Sequence, residues 1–244
     1  MKKLFIFYTT LFFLTATAYS QPLQDTVEDI DGNVYHTVKI GTQIWMVENF
    51  NVTHYRNGDP IPVMTNDSLW SELTKGAYCN YKNYPPNCKI YGKLYNFYAI
   101  TDKRNIAPIG WHVPSEVEWQ TLEKTLGMTQ ESVDSFGAYG TIQGGILKET
   151  DTIHWKGTNV GATNSSGFTA LPGGFRDYNG KFIGLKTSGS WWTSTEQNSV
   201  GDSKVDPRFQ KFAFYHMLFN VNSKIFRILV QQEQGCSVRC IKDN

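Results

Sequence analysis

The 244-residue chain lacks the features that mark several common classes of protein. No run of Lys or Arg exceeds two residues, which argues against a nucleic-acid-binding stripe. After the N-terminus, no segment is apolar over the roughly 20 residues that cross a bilayer. The chain contains no P-loop, no dinucleotide fingerprint, no H-E-x-x-H and no G-x-S-x-G. The sequence therefore predicts no catalytic residues, no cofactor, no nucleic-acid partner and no membrane span in the mature chain.

The first 20 residues have the layout of a secretory signal peptide. Lys2 and Lys3 precede a mostly apolar stretch, and Ala18 and Ser20 are the small residues before a cut at Gln21. We expect residues 1–20 to be removed, 21–26 to form a short leader and 27–244 to fold as one domain. Removal leaves 21 basic against 22 acidic residues, a net charge of −1. The predicted location is secreted, periplasmic or at the cell surface.

Only four cysteines are present, and an export signal permits them to form disulfides. Cys79 and Cys88 flank a Pro-Pro segment that must bend, and we predict that they pair. Cys236 and Cys240 would lie ~13 Å apart in an extended strand, whereas a disulfide requires Cα atoms within about 7 Å. They are therefore either joined across a turn or left as free buried thiols. The five histidines are scattered without ligand spacing, so we predict no metal site.

Aromatic residues make up 14% of the chain and glycine reaches 21, a composition that favours β-structure and turns. We predict one helix over 91–101 and a second from the capping box of Ser115 and Glu118 to Gly127. Residues 128–166 have no clear period and are predicted to be largely loop. Strands are predicted at 34–40, 43–50, 167–176, 191–195, 211–218, 225–230 and 236–242, with a hairpin turn at 178–181.

Eight segments, in order along the chain, resemble the Fibrobacter succinogenes major paralogous domain. They are residues 29–35 (DIDGNVY), 39–41 (KIG), 45–49 (WMVEN), 91–95 (YGKLY), 110–119 (GWHVPSEVEW), 168–176 (FTALPGGFR), 191–195 (WWTST) and 237–243 (SVRCIKD). The resemblance runs from about residue 27 to residue 243. Members of this family are exported bacterial proteins, often lipoproteins, and no general biochemical activity is established for them.

The resemblance implies an α+β fold of the C-type-lectin-like type, with two helices, mostly antiparallel strands and long loops. Formylglycine-generating enzymes, which modify sulfatases, share this fold. The N- and C-terminal strands of a C-type-lectin-like fold pair with each other, so we expect residues 43–48 to lie beside 236–242. Many members carry a cysteine at the position of Ala107. The resemblance implies that this cysteine forms a disulfide with the one that matches Cys240. This chain lacks it, and Cys236 stands where the family usually has an aromatic residue.

The predicted ligand contacts lie in the loops at 128–166 and 176–207. Trp155 and Tyr178 are aromatic residues in polar segments, where they suit a sugar or a protein partner. Arg176, Asp177 and Asn179 supply polar groups beside them. The alternative, that Trp155 and Tyr178 instead pack their loops onto the sheet, stays open.

Glu118 and Arg239 are charged residues in otherwise apolar surroundings. Because an unpaired buried charge is costly, we predict that they form a buried ion pair between the second helix and the last strand.

Together these features predict an exported, non-enzymatic binding module that recognises a glycan or a surface protein. One alternative is a structural or fimbria-associated surface protein. Another is a copper-dependent oxidase that resembles formylglycine-generating enzymes and uses Cys236 and Cys240 as soft ligands. Calcium-dependent sugar binding is a further alternative, although the lectin triplets Glu-Pro-Asn and Trp-Asn-Asp are absent.

Overall fold

The structure is a computed structural model that describes residues 25–198 and 211–244. The predicted signal peptide and part of the predicted 176–207 loop lie outside the described residues. The strands are β1 (Thr26–Glu28), β2 (Val34–Ile40), β3 (Gln43–Met46), β4 (Tyr78–Cys79), β5 (Leu94–Tyr95), β6 (Trp111–His112), β7 (Gly137–Tyr139), β8 (Phe175–Arg176), β9 (Phe182–Ile183), β10 (Ser188–Asn198), β11 (Lys211–Phe219), β12 (Ile225–Gln231) and β13 (Ile241–Lys242). The helices are α1 (Asp67–Trp70), α2 (Pro85–Tyr91), α3 (Phe97–Ile100), α4 (Glu116–Thr125), α5 (Gln130–Val133) and α6 (Gln143–Leu147), with a 3-10 turn at Tyr81–Asn83.

A five-stranded sheet joins the two ends of the described chain in the order β1-β2-β3-β13-β6. All of its neighbouring strands are antiparallel, and Ile241 lies opposite Trp45 on one side and His112 on the other. The amide of Phe50 continues this contact by donating to the carbonyl of Val238 at 2.8 Å. The predicted pairing of residues 43–48 with 236–242 is therefore confirmed.

The second sheet has four antiparallel strands in the order β10-β11-β12-β7. Its central strand, β11, was recognisable from the strict alternation of residues 211–218, which places every second side chain on one face. Two further two-stranded sheets, β4-β5 and β8-β9, complete an α+β fold of mostly antiparallel strands, as predicted.

The helices differ from the two that were predicted. The helix after Ser115 is confirmed as α4, with both hydrogen bonds of the capping box present. The predicted helix at 91–101 is wrong: Gly92 has a φ of +72°, and a Cβ there would collide with Asn49 and Phe50. Residues 94–95 instead pair with β4, and only 97–100 are helical. The segment 128–166 contains α5, β7 and α6 in addition to loop.

Aromatic side chains fill the core. All seven tryptophans are buried, with at most 6% of their surface exposed. One cluster contains Trp192 beside Phe97 and Tyr215, while Trp45, Trp119 and Phe168 meet edge to face in the other. Among the described residues, no helix has the length and apolar character needed to cross a bilayer.

Candidate functional site

Trp155 lies in the core, not at a ligand-binding surface. Its side chain is fully buried, and Nε1 donates to the carbonyl oxygen of Ala170 at 3.0 Å. The expectation that Trp155 contacts a ligand is therefore wrong, and the alternative that it packs its loop onto the core is correct. The cause is its satisfied N–H, which lets the indole be buried at little cost.

Arg176 is also a structural residue. Its guanidinium is fully buried, donates to the carbonyls of Gly180 and Met64, and reaches the carboxylate of Asp67 at 2.5 Å. It also lies 4.3 Å from the ring centre of Trp70, a stacking geometry typical of arginine. Arg176 therefore joins the β8-β9 hairpin to the segment around α1 and is not available to a ligand.

The turn at 177–180 is the part of the predicted contact set that stays accessible. The amide of Asp177 donates to the carbonyl of Lys181, and its carboxylate accepts from the Lys181 amide, both at 2.8 Å, which closes the predicted turn. Tyr178 is 38% exposed and Asn179 is exposed at the tip. A ligand role for these residues stays a prediction.

Glu118 and Arg239 do not form the predicted ion pair. Glu118 is held by Ser115 in the capping box and by Nε2 of His112 at 2.8 Å. Arg239 is fully buried and donates to the carbonyls of Phe168 and Thr169 and to Oδ1 of Asn49. Burial lowers the pKa of Arg239 to about 9, because the oxygens that surround it are neutral.

The cysteines are free thiols, so the predicted Cys79–Cys88 disulfide is not formed. Cys79 is buried in β4 with Trp70 and Tyr81, whereas Cys88 lies on α2 and donates to the carbonyl of Pro85 at 3.0 Å. Burial raises the pKa of Cys79 to about 12 and those of Cys236 and Cys240 well above the ordinary thiol value.

A buried cluster of ionisable side chains connects α4 to the second sheet. His216 on β11 lies 3.0 Å from Glu116 through Nε2 and 3.0 Å from Glu123 through Nδ1, and it stacks on Trp119. Arg227 also pairs with Glu116 at 3.0 Å. Burial alone would lower the pKa of His216, but the two carboxylates raise it to about 9. These groups are enclosed, so they stabilise the fold and do not face a substrate.

A polar groove of about 540 Å³ opens beside α3. Its lining consists of Pro60, Pro62, Thr74, Lys75, Gly76, Tyr98, Thr101, Asp102 and Arg104. We call this surface the polar groove. Its volume lies within the ~300–1,000 Å³ of typical small-ligand sites. The groove is not recognisable from the sequence, because its residues come from three separate segments, 60–62, 74–76 and 98–104, that only the fold brings together.

Asn96 joins two of those segments, 74–76 and 98–104. It is fully buried at the N-cap of α3, where Oδ1 accepts from the amide of Ala99 at 3.0 Å. The same oxygen accepts from the amide of Ala77 at 2.9 Å, and Nδ2 donates to the carbonyl of Lys75 at 2.8 Å. One amide therefore fixes two of the three segments that line the groove.

The charges of the groove are held in place by an ion-pair network. Arg104 makes a two-pronged contact with Asp102, at 2.9 and 2.8 Å, reaches Asp59 at 3.1 Å, and lies 4.0 Å from the ring centre of Tyr55. Hydrogen bonds from Arg104 lower the pKa of Asp102, which stays ionised at neutral pH. Arg104 is therefore held at the groove by two carboxylates and an aromatic ring.

A second hollow, of about 380 Å³, is more apolar. It lies beside β1, the edge strand of the five-stranded sheet, and Val27, Ile30, Ile106 and Ile109 contribute to its lining. Ile109 is 85% exposed and Ile30 is 49% exposed. We call this surface the apolar hollow.

Three side chains on the loop after α6 could hold a metal ion. Glu149, Asp151 and His154 each offer one ligand atom, and these atoms lie within 4.8 Å of one another. Sequence analysis predicted no metal site, because it looked for spacing among histidines alone. The local pattern Glu-x-Asp-x-x-His was the signal that could have identified this group.

Comparison with known proteins gives one match. The model of the Fibrobacter succinogenes major domain matches residues 38–242, which is most of the chain. No curated protein and no solved structure matches the chain.

Proposed function

Because the chain belongs to the Fibrobacter succinogenes major domain family, we propose that it is an exported, non-enzymatic binding module that recognises a glycan through the polar groove. The observation that carries this proposal is the groove itself, in which fixed charges, hydroxyl groups and a tyrosine converge on one open surface. The proposal of export rests on the signal-peptide layout of residues 1–20. A C-type-lectin-like fold is proposed with it on the resemblance alone.

The chemistry of the groove suits sugar hydroxyl groups. A sugar presents neighbouring hydroxyls that both donate and accept, and a planar guanidinium beside a carboxylate can satisfy such a pair. Arg104 and Asp102 form this arrangement at the groove. Tyr98 lines the groove with its hydroxyl bound to Glu233 at 3.0 Å, which fixes the position of its ring.

The buried ionisable groups support a binding role over a catalytic one. A general acid or base must lie within hydrogen-bond reach of a substrate, whereas His216 and Glu123 are at most 1% exposed. A nucleophilic or metal-binding cysteine acts as a thiolate, whereas burial raises the pKa of Cys236 and Cys240 well above neutral pH. The copper-dependent oxidase is therefore the weakest alternative.

A glycan array with the purified protein tests the proposal. We expect selective binding to a subset of glycans, and we expect Arg104→Ala to weaken it about tenfold or more, the loss of ~1.4 kcal/mol that one charged hydrogen bond represents. Lys75→Ala should also weaken binding, because Lys75 lines the groove. Lys103→Ala is the matched control, since Lys103 is exposed nearby but does not line the groove.

A protein partner is the second candidate, and the apolar hollow favours it. An open strand edge beside exposed apolar side chains is a surface on which another chain can add a strand. If the array shows no glycan binding, and if Ile109→Asp loses a surface protein that co-purifies with the parent protein, this structural role replaces the glycan proposal. Glycan binding that is unchanged in Arg104→Ala would rule out the polar groove as the binding surface.

A further inference from the structure

We propose that Glu149, Asp151 and His154 form a binding site for a divalent transition-metal ion of the zinc class. This site is separate from the polar groove and does not depend on the function proposed for it. The three residues lie on one short loop between α6 and Trp155, and their ligand atoms are already within 4.8 Å of one another.

The donor set favours zinc over calcium or magnesium. Nδ1 of His154 lies 2.9 Å from both carboxylate oxygens of Glu149, so an imidazole nitrogen and a carboxylate lie side by side, and a bound ion would take the place of the hydrogen bond between them. Imidazole ligands suit zinc and related ions, whereas calcium and magnesium prefer oxygen ligands alone. Three protein ligands leave the fourth tetrahedral position for water or for a donor from a ligand.

The charge around the loop is suited to a cation. The side chain of Glu149 has only 14% of its surface exposed, and it lies beside the second carboxylate of the cluster, Asp151. Among the described residues, no Lys or Arg forms an ion pair with either carboxylate. The adjacent Lys148 instead donates its ammonium to the carbonyls of Val160, Phe219 and Asn222.

Neighbouring groups hold the loop in its ligating shape. Asn159 is 4% exposed, and its Nδ2 donates to the main-chain oxygens of Glu149 at 2.7 Å and Asp151 at 3.3 Å. Oδ1 of Asn159 is buried, and in the described part of the chain it has no hydrogen-bond partner. Oδ1 of Asp151 accepts from the amide of Ile153 at 2.9 Å, which turns the chain so that His154 faces back. Such outer contacts keep metal ligands in place.

Zinc titration by calorimetry tests this site. We expect one equivalent to bind, and we expect Asp151→Asn to weaken binding at least tenfold, because the amide keeps the turn but loses the charge. His154→Asn should have the same effect. His36→Asn is the matched control, since His36 is another histidine beside a carboxylate but lies outside the cluster. All proteins should carry Cys88→Ser, which removes the partly exposed thiol.

A second measurement separates loss of the site from loss of the fold. Zinc should raise the melting temperature of the parent protein and leave that of Asp151→Asn unchanged, because a ligand stabilises only the state that binds it. Absence of zinc binding in the parent, equal affinity for magnesium and calcium, or unchanged affinity in both cluster variants would each overturn the proposal. None of these results bears on glycan binding, which Arg104→Ala tests independently.

Discussion

Arg239 shows how a fully buried cation can be satisfied without a carboxylate. Its guanidinium donates to Asn49 and to the carbonyls of Phe168 and Thr169, and it lies 4.2 Å from the ring centre of Phe168. Removal of the side chain would leave the carbonyls of Phe168 and Thr169 without this donor, at about 1–3 kcal/mol for a buried group, whereas Oδ1 of Asn49 would keep the N–H of Trp191. Arg239 is therefore a junction between three distant segments of the chain.

We predict that Arg239→Met lowers the free energy of unfolding by about 3 kcal/mol or more, because two buried carbonyls lose their donor together and the packing of the guanidinium on Phe168 is lost. Glu118→Gln should change it by less than about 1 kcal/mol, since glutamine keeps the acceptor of the capping box and Glu118 is partly exposed. Urea unfolding followed by tryptophan fluorescence measures both. Equal losses in the two variants would indicate that the residues act as a pair after all.

Residue roles could be predicted from sequence only in part. The sequence identified Arg239 as a charge in an apolar context, but not its partner Asn49, which lies 190 positions away. Trp155 and Arg176 were placed at a surface because their neighbours in sequence are polar. Their true neighbours, Ala170 and Trp70, are brought to them by the fold.

At the scale of elements, α4 is the helix whose start is best defined. The hydroxyl of Ser115 accepts from the amide of Glu118, and the amide of Ser115 donates to the carboxylate of Glu118. Two otherwise unpaired amide donors are therefore satisfied. The helix then carries Trp119 and Leu122 into the core and Glu116 and Glu123 to His216.

We predict that Ser115→Ala lowers the free energy of unfolding by about 1 kcal/mol, the usual value of an N-cap side chain. Thr121→Ala serves as the control, since Thr121 is a half-buried residue of the same helix whose hydroxyl bonds the carbonyl of Val117 within the helix. It should be neutral or slightly stabilising, because alanine has the higher helix propensity. Thermal unfolding followed by circular dichroism compares the two, and similar losses in both would argue against a capping role.

Elements with local signals were predicted well, and those without them were not. The capping box of α4, the turn at 178–181 and the alternation of β11 are each encoded in adjacent residues. The helix predicted at 91–101 failed, because Gly92 meets Asn49 in a contact that no local pattern reveals. The polar groove was missed for the same reason, since it depends on Asn96 reaching back to Lys75.

At the scale of the whole molecule, every histidine is bound to a carboxylate. His36 pairs with Glu48, His54 with Asp31, His112 with Glu118 and Asp243, His154 with Glu149, and His216 with Glu116 and Glu123. Burial lowers the pKa values of His112 and His216, but their carboxylates outweigh it and raise both, so the stability of the protein is linked to pH through these two histidines.

His216 sets the alkaline side of this dependence. Its pKa is raised to about 9, so its contribution is complete below the unfolded value near 6.5 and is lost as pH rises through about 9. We predict that the free energy of unfolding falls by up to about 3 kcal/mol between pH 6 and pH 9.5. His216→Gln should remove most of this fall in the free energy of unfolding with pH, and His36→Gln should leave the fall unchanged. Urea unfolding across that pH range measures both.

The acid side follows from Glu116. Burial raises its pKa, but His216 and Arg227 outweigh this and lower it below the ordinary value, so its contribution is lost as pH falls through that lowered pKa.

Strand β13 lies between β3 and β6, and this position fixes when the sheet can be completed. Residues 43–46 and 111–112 are made early, yet the strand that separates them is not available until Ile241 and Lys242 have been synthesised. A nascent chain that stops short of these residues leaves two strand edges open to pairing with other chains. The sheet can therefore close only after Ile241 and Lys242 have been synthesised, and contacts of such long sequence separation form slowly.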